Sequence, residues 1–214
     1  MDTSRVQQLI EHGLSSLRLA DEPGLAAQLL AYLELLVKWN RTYNLTAVRE
    51  PEAMVTRHLM DSLAILPFIS TDRVLDVGTG AGLPGLVLAM ASTGRSFVLL
   101  DSAGKKTRFV EHAAGRLGLT NVEVVKARAE DHQDEEGFGV VVSRALAPVA
   151  DFIRVAAHLA RGDGHLLAMK GALPDAELED LPAAWQLHAI HELSVPGLHG
   201  RRHLLELSRK DAGT

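Results

Sequence analysis

The stretch Arg73-Val74-Leu75-Asp76-Val77-Gly78-Thr79-Gly80-Ala81-Gly82-Leu83-Pro84-Gly85 constrains this chain more than any other. It reads as a short buried strand, then a glycine turn, then the start of a helix. Glycines at 78, 80 and 82 remove side chains where a backbone turns tightly and approaches a ligand closely. A helix that starts beyond such a turn points unpaired N–H groups at whatever lies over it. Asp76 stands at the end of the strand, just before the glycines. These features imply a nucleotide site and leave open which nucleotide.

The rest of the chain is arranged around that turn. From residue 72 strand and helix alternate. Strands are expected at Val74–Val77, Phe97–Leu100, Val122–Val125, Phe138–Val142 and His165–Met169. Helices are expected from Pro84 or Gly85, over 104–117 and over 149–160, with a short loop or helix at Ala129-Glu130-Asp131. Near-continuous apolar strands require a parallel sheet covered on both faces. Strands separated by helices give a doubly wound α/β fold. Trp185–Val195 and His203–Leu207 are two further strand-like runs. The Pro196-Gly197-Leu198-His199-Gly200 link is too short for a crossover helix, so the two form an antiparallel hairpin. Ahead of the sheet, apolar spacing predicts helices over 4–19 with Ser4 as N-cap, over 25–40, and from Glu50 to near Pro67. The expected division is an N-terminal helical extension, 1–70, packed on a nucleotide-binding domain, 71–214.

Composition narrows the function classes. There is no cysteine among the 214 residues, which fits a reducing compartment and excludes every cysteine-based mechanism. No apolar run reaches the roughly 18 residues of a membrane span, and the N-terminus lacks a secretory pattern. A cytoplasmic location without membrane association is expected. The net charge of −5 speaks against a nucleic-acid binder, but only the field at the binding face matters. Basic residues cluster locally at Lys105, Lys106 and Arg108, at Lys126 and Arg128, and at Arg201, Arg202 and His203. Ten histidines raise a metal site. His188 and His191, three apart on a strand, would face opposite ways, and no metal is expected.

Gly80 to Gly85 also spells the dinucleotide fingerprint. Asp76 and Gly78 extend it upstream to Asp-x-Gly-x-Gly-x-Gly, there is no second domain for hydride chemistry, and a terminal hairpin does not belong to the dinucleotide layout. The loop therefore reads as a site for S-adenosylmethionine. Asp101, ending the second strand, can accept from both ribose hydroxyls, or can cap the next helix. Ala129 and Glu130 follow the third strand, where the adenine edge would lie. Arg144 follows the fourth, placed to hold the cofactor carboxylate or a substrate phosphate, or to form a structural ion pair. Lys170 has a similar place after the fifth.

The acceptor is constrained by what is missing. Methylation of cytosine C5 needs a thiol. Exocyclic amines usually need an Asn/Asp-Pro-Pro-aromatic loop, whereas here the position reads Ser143-Arg144-Ala145-Leu146-Ala147-Pro148. Ring nitrogens with a free lone pair, oxygens and small molecules remain. Guanine N7 is already nucleophilic and loses no proton, so it needs alignment more than a base.

Several blocks together resemble one family: Trp39-Asn40 with Tyr43-Asn44-Leu45-Thr46, Arg57-His58 with Asp61-Ser62, Asp76 to Gly85, Leu100-Asp101-Ser102 with Lys105, Ser143-Arg144-Ala145, Lys170-Gly171, and Arg202-His203. The chain is similar to the bacterial small-subunit ribosomal RNA methyltransferase G family, also called glucose-inhibited division protein B, from about residue 39 to 207. The resemblance implies a class I methyltransferase fold and methyl transfer from S-adenosylmethionine to N7 of guanine 527 in 16S rRNA. It implies cofactor contacts at Gly78, Leu83, Ala129, Glu130 and Arg144, beside Asp76, Gly80, Gly82 and Asp101 from the loop and strand ends. Lys105, Lys170 and Arg202 are the candidates for the substrate. The expected partner is 16S rRNA, the small subunit or its assembly intermediate, met by a monomer. Ala81 stands where many members carry proline. A small-molecule methyltransferase is the alternative, and the older family name adds a non-enzymatic division factor.

Overall fold

The computed structural model describes residues 1–144, 148–172 and 175–210. Seven strands form one sheet in the order β3-β2-β1-β4-β5-β7-β6. They are β1 Arg73–Val77, β2 Ser96–Leu100, β3 Val122–Val125, β4 Phe138–Ser143, β5 Ala160–Lys170, β6 Trp185–Glu192 and β7 His203–Arg209. The first five pair in parallel. The last two are antiparallel, with β7 inserted between β5 and β6. This is the expected doubly wound sheet with its terminal hairpin.

Side chains alternate across the sheet as the strand period demands. Leu75, Val77, Val98, Leu100 and Val141 enter one core with Phe152 and Ile153 of α7 (Val149–Ala156). Val74, Phe97, Leu99, Val140 and Val142 enter the other, under α5 (Gly85–Ala91) and α6 (Gly104–Leu117). The second core continues without a break into the helical section. There it takes Ile10 and Leu14 of α1 (Thr3–Ser16) and Leu29, Leu33 and Leu36 of α2 (Leu25–Tyr43).

Three local readings need correction. The N-cap of α1 is Asp2, whose side chain accepts from the Arg5 N–H; Ser4 lies inside the helix. The third helical stretch is composite: α3 (Pro51–Met54), a π-helical turn (Val55–Met60), α4 (Asp61–Leu63) and a 3-10 turn (Leu66–Phe68). Periodicity over so short a run cannot separate 3.6 from 4.4 residues per turn, and π turns gather at functional sites. His188 and His191 do not face opposite ways. A bulge between Leu187 and Ala189 resets the alternation. His191 and His165 both reach Glu206, at 2.8 and 2.6 Å, with His188 edge-on to His165. The sequence also gives no reading for α8 (Asp175–Glu179).

Gly13 lies inside α1 because α1 crosses the π turn closely: a Cβ there would stand 2.2 Å from the Met60 sulfur. That contact is internal to the helical section, whose π turn and α4 line one cavity together with the carboxyl ends of β4 and β5.

Candidate active site

The carboxyl ends of the parallel strands carry the site, as they do in open α/β sheets generally. Gly78, Gly80 and Gly82 have φ of 70°, 63° and 84°, a left-handed backbone that other residues adopt only with strain. The loop they form is internally tied. Gly78 and Thr79 N–H donate to the Leu100 carbonyl, and Gly82 and Leu83 N–H to the Thr79 carbonyl. Asp76 Oδ2 accepts from the Thr79 hydroxyl at 2.6 Å and from the Gly85 N–H at 2.8 Å. The helix start therefore does not present a row of free donors, contrary to the sequence reading: its first N–H is spent on Asp76. The loop offers a shape. Tyr32 of α2 holds it from behind, its hydroxyl donating to the Ala81 carbonyl at 2.7 Å. The small Ala81 side chain is buried in this packing.

Asp76 is fully buried, and burial pushes its carboxyl up to about 6 despite the two hydrogen bonds that favour the charged form. Its Oδ1 has no partner among the described residues. Asp101 does local and site duty together. Oδ1 accepts from the Ala103 N–H at the start of α6, and Oδ2 accepts from the Gly80 N–H and meets Lys106 Nζ at 3.4 Å.

Two cavities of about 320 Å³ each open at the carboxyl ends of the strands, the first of them beside this loop. Gly78, Asp101, Ala129 and Glu130 line the first, with Leu100, Ala127 and Val155 as an apolar wall and Lys106 and Arg128 at its edge. Of the residues expected to bind the cofactor, Asp76, Gly80, Gly82 and Leu83 are not in that lining. They shape it from beneath, and Leu83 is buried in the core. A larger cavity of about 700 Å³ lies between α1, α2 and α3 and contains none of the expected site residues.

The second cavity is cationic. Arg57, His58, Asp61, Arg144, Lys170 and Arg202 line it. Arg144 belongs here rather than to the first cavity. Ser143 ties the end of β4 to β1 through its hydroxyl and the Val77 carbonyl, which places Arg144 at the boundary between the two. Arg144 Nη1 donates to the Arg57 carbonyl at 3.2 Å, sits 3.3 Å from His58 Nδ1 and 4.0 Å from Asp61 Oδ2. Burial draws its pKa below the ordinary arginine value, Asp61 pulls it back, and Arg202 opposes it. Burial and Arg144 hold His58 down to about 4, so its ring is neutral. Asn40 builds the backing of this wall. Its Oδ1 accepts from the Thr46 N–H, and Thr46 Oγ1 meets His58 Nε2 at 2.8 Å.

Lys170 lines the same cavity and bonds Glu177 at 2.8 Å. Arg202 donates through Nε to Asp61 at 2.8 Å. Lys105 is exposed and lines neither cavity. Its neighbour Lys106 is the lysine that reaches the site. Residues 145–147, which followed Arg144 in the sequence reading, lie outside the described residues. Sequence reasoning assigned no role to Tyr32, His58, Asp61, Lys106 or Arg128. His58 and Asp61 stood only as blocks of a resemblance, and Tyr32 carries no local signal. Among the described residues no His, Asp or Glu group has the arrangement of a metal site, and no helix is long and apolar enough to cross a membrane.

The fold recurs in solved methyltransferases. A ribosomal protein L11 methylase from Lactobacillus delbrueckii subsp. bulgaricus superposes with a TM-score of 0.55 at 22% identity, over 71% of this chain and 77% of that one. A SAM-dependent methyltransferase from Aquifex aeolicus gives 0.55 at 20%, over 72% and 92%. At the sequence level the likeness is much closer. A relative from Marinobacter nauticus, "Ribosomal RNA small subunit methyltransferase G", is 48% identical over 94% of both chains. Its namesakes from Ectopseudomonas mendocina and Pseudomonas syringae pv. syringae are 52% identical over 85% of this chain and 86% of the relative, and 46% over 98% of both. The family profile described as rRNA small subunit methyltransferase G matches residues 25–205. With the glycine loop, the acidic strand ends and the cationic cavity in place, the chain belongs to the rRNA small subunit methyltransferase G family.

Proposed function

We infer that this chain transfers the methyl group of S-adenosylmethionine to N7 of guanine 527 of 16S rRNA. The observation that carries the reading is the pair of cavities at the carboxyl ends of the strands, linked where Ser143, beside Arg144, bonds the Val77 carbonyl. One has an acidic strand end and an apolar wall; the other is lined by cations. The first fits the cofactor. The Asp101 carboxylate supplies acceptors, and Ala127, Ala129 and Val155 supply an apolar face. Asp101 would hold the ribose, and Ala129 and Glu130 would frame the adenine. When bound, S-adenosylmethionine supplies an electrophilic methyl group on a sulfonium.

The protein's own residues align and exclude. Arg144, at the boundary, fixes the cofactor carboxylate or an RNA phosphate. Lys170 and Arg202 favour an anionic strand at the second cavity. No side chain there is poised as a general base: Asp61 is engaged by arginine, and His58 is a neutral ring in a buried network. N7 attack releases no proton at the nitrogen, so none is needed, and alignment carries the catalysis. The helical extension, 1–70, serves the methyltransferase domain, 71–214, by forming one wall of the acceptor cavity. The proposed setting is the cytoplasm, with the chain acting as a monomer on 16S rRNA, the small subunit or an assembly intermediate.

Methyl transfer to small-subunit RNA in rising salt tests this reading. Binding that neutralises phosphates weakens steeply, on the order of tenfold or more between 50 and 200 mM salt. A flat salt response with transfer to a neutral small molecule would favour the small-molecule alternative. Cofactor binding without transfer to any acceptor would favour the non-enzymatic one.

A further inference from the structure

Arg144 and Arg202 come from distant parts of the chain, one after β4 and one before β7. Both meet a single carboxylate. Asp61, on α4, is 2% exposed. Its Oδ1 accepts from Arg202 Nε at 2.8 Å, and its Oδ2 lies 4.0 Å from Arg144 Nη1. On the far side Gly171 leaves the space that Arg202 occupies, since a Cβ there would stand 3.0 Å from Arg202 Nη1. The Arg57 carbonyl fixes Arg144 on its other flank. Arg202 lies close enough to oppose the charge on Arg144.

A buried acid between two bases seldom adds to stability, because desolvation offsets the attraction. An acid in a cavity meant for an anion also lowers its positive charge. What Asp61 contributes is geometry: without it two guanidiniums would repel and part. We propose that Asp61 is a positioning residue for methyl transfer, its carboxylate setting Arg144 and Arg202 side by side to receive one phosphodiester group of the acceptor RNA. It touches neither cofactor nor RNA and acts through the arginines. The helical extension thereby fixes the acceptor strand. The inference rests on the second cavity being the acceptor site.

A double-mutant cycle in the full chain tests it. Asp61→Asn, Arg202→Gln and the double variant are assayed for methylation of small subunits, for S-adenosylmethionine affinity by calorimetry, and for Tm. Asp61→Asn is expected to lower kcat/KM for the ribosomal substrate about 30-fold, with cofactor affinity within about twofold of the parent. In the Arg202→Gln background the same change is expected to cost under about threefold, because coupled residues are not additive. Full additivity, or a cofactor affinity that falls as far as the methylation, would overturn the proposal. If the parent chain itself methylates no ribosomal RNA, the acceptor reading fails instead, and the two failures are told apart by that control.

Discussion

The two cavities are built by different means. Most of the first cavity is local to strand ends, with Gly78 after β1, Asp101 after β2, and Ala129 and Glu130 after β3; Lys106 of α6 and Val155 of α7 complete it. The acceptor cavity is assembled from the helical section, the end of β4, the end of β5 and the link before β7. Its bonds span 87 residues from Arg144 to Arg57 and 141 from Arg202 to Asp61. A site made of strand ends follows from the sheet alone. A site made of long-range ion pairs needs the helical section packed in register against the hairpin. The first can be shared by many methyltransferases, and under the proposed function the second is where acceptor choice would reside.

The largest effect should fall on the boundary. Arg144→Ala is expected to lower methylation at least about 100-fold while Tm changes by only a few degrees, since the arginine is held by positioning contacts outside the core. Calorimetry sharpens the comparison. If Arg144 serves the acceptor cavity, cofactor affinity falls less than about tenfold. A loss of cofactor binding as large as the loss of methylation would merge the two cavities into one site.

Asp101→Ala should do the reverse. It frees the Gly80 and Ala103 N–H groups together and removes the proposed ribose acceptor, so cofactor affinity should fall about 30-fold or more. RNA affinity measured without cofactor should change by less than about threefold. Equal losses of both would break the separation.

These outcomes bear on what was legible in the chain. Gly78, Asp101, Ala129 and Glu130 could be placed at one cavity from the sequence because strand ends are where ligands bind in such sheets. Of the second cavity, Arg144, Lys170 and Arg202 were named, but its helical wall was not. Nothing local to Asp61 distinguishes it from a surface acid in a helix, because its partner lies 141 residues away. Tyr32 is equally silent: its hydroxyl bonds a carbonyl 49 residues downstream. The strand bulge before Ala189 leaves no trace in apolar spacing, so the histidines were assigned to the wrong faces. The sheet, by contrast, follows from period-two burial and connection length, and that level of the fold was readable.

Tyr32→Phe offers a milder test of how the loop is held. It leaves the Ala81 carbonyl without its buried donor and should cost about 1–2 kcal/mol of stability. Cofactor affinity should fall only a few-fold, as the glycine backbone bonds remain. An unchanged Tm in urea or heat melts would mean that the loop needs no support from α2.

The smallest effects are pH slopes, opposite in sign for the two regions. His58, neutral in the fold down to about 4, takes a proton first in the unfolded chain. Stability from this group is therefore lost as pH falls from about 6.5 toward 4. Asp76, pushed up to about 6, takes its proton first in the fold. Its cost to stability is present above about 6 and is relieved as pH falls toward 4. His58→Asn should then flatten the acid loss, and Asp76→Asn should steepen it, each on the order of 1–3 kcal/mol across that window. Melts of the cofactor-free chain between pH 4 and 7 decide it; parallel curves for both variants and the parent would remove the electrostatic contrast between the cavities.

The identity of the acceptor can be tested directly. Guanines carrying N7 methyl groups in 16S rRNA can be mapped in cells with the gene, without it, and with it restored as the parent chain or as Arg144→Ala. N7 methylation at guanine 527 is expected to disappear with the gene, to return with the parent and not to return with the variant. N7 methylation at that guanine unchanged by loss of the gene would contradict this acceptor assignment.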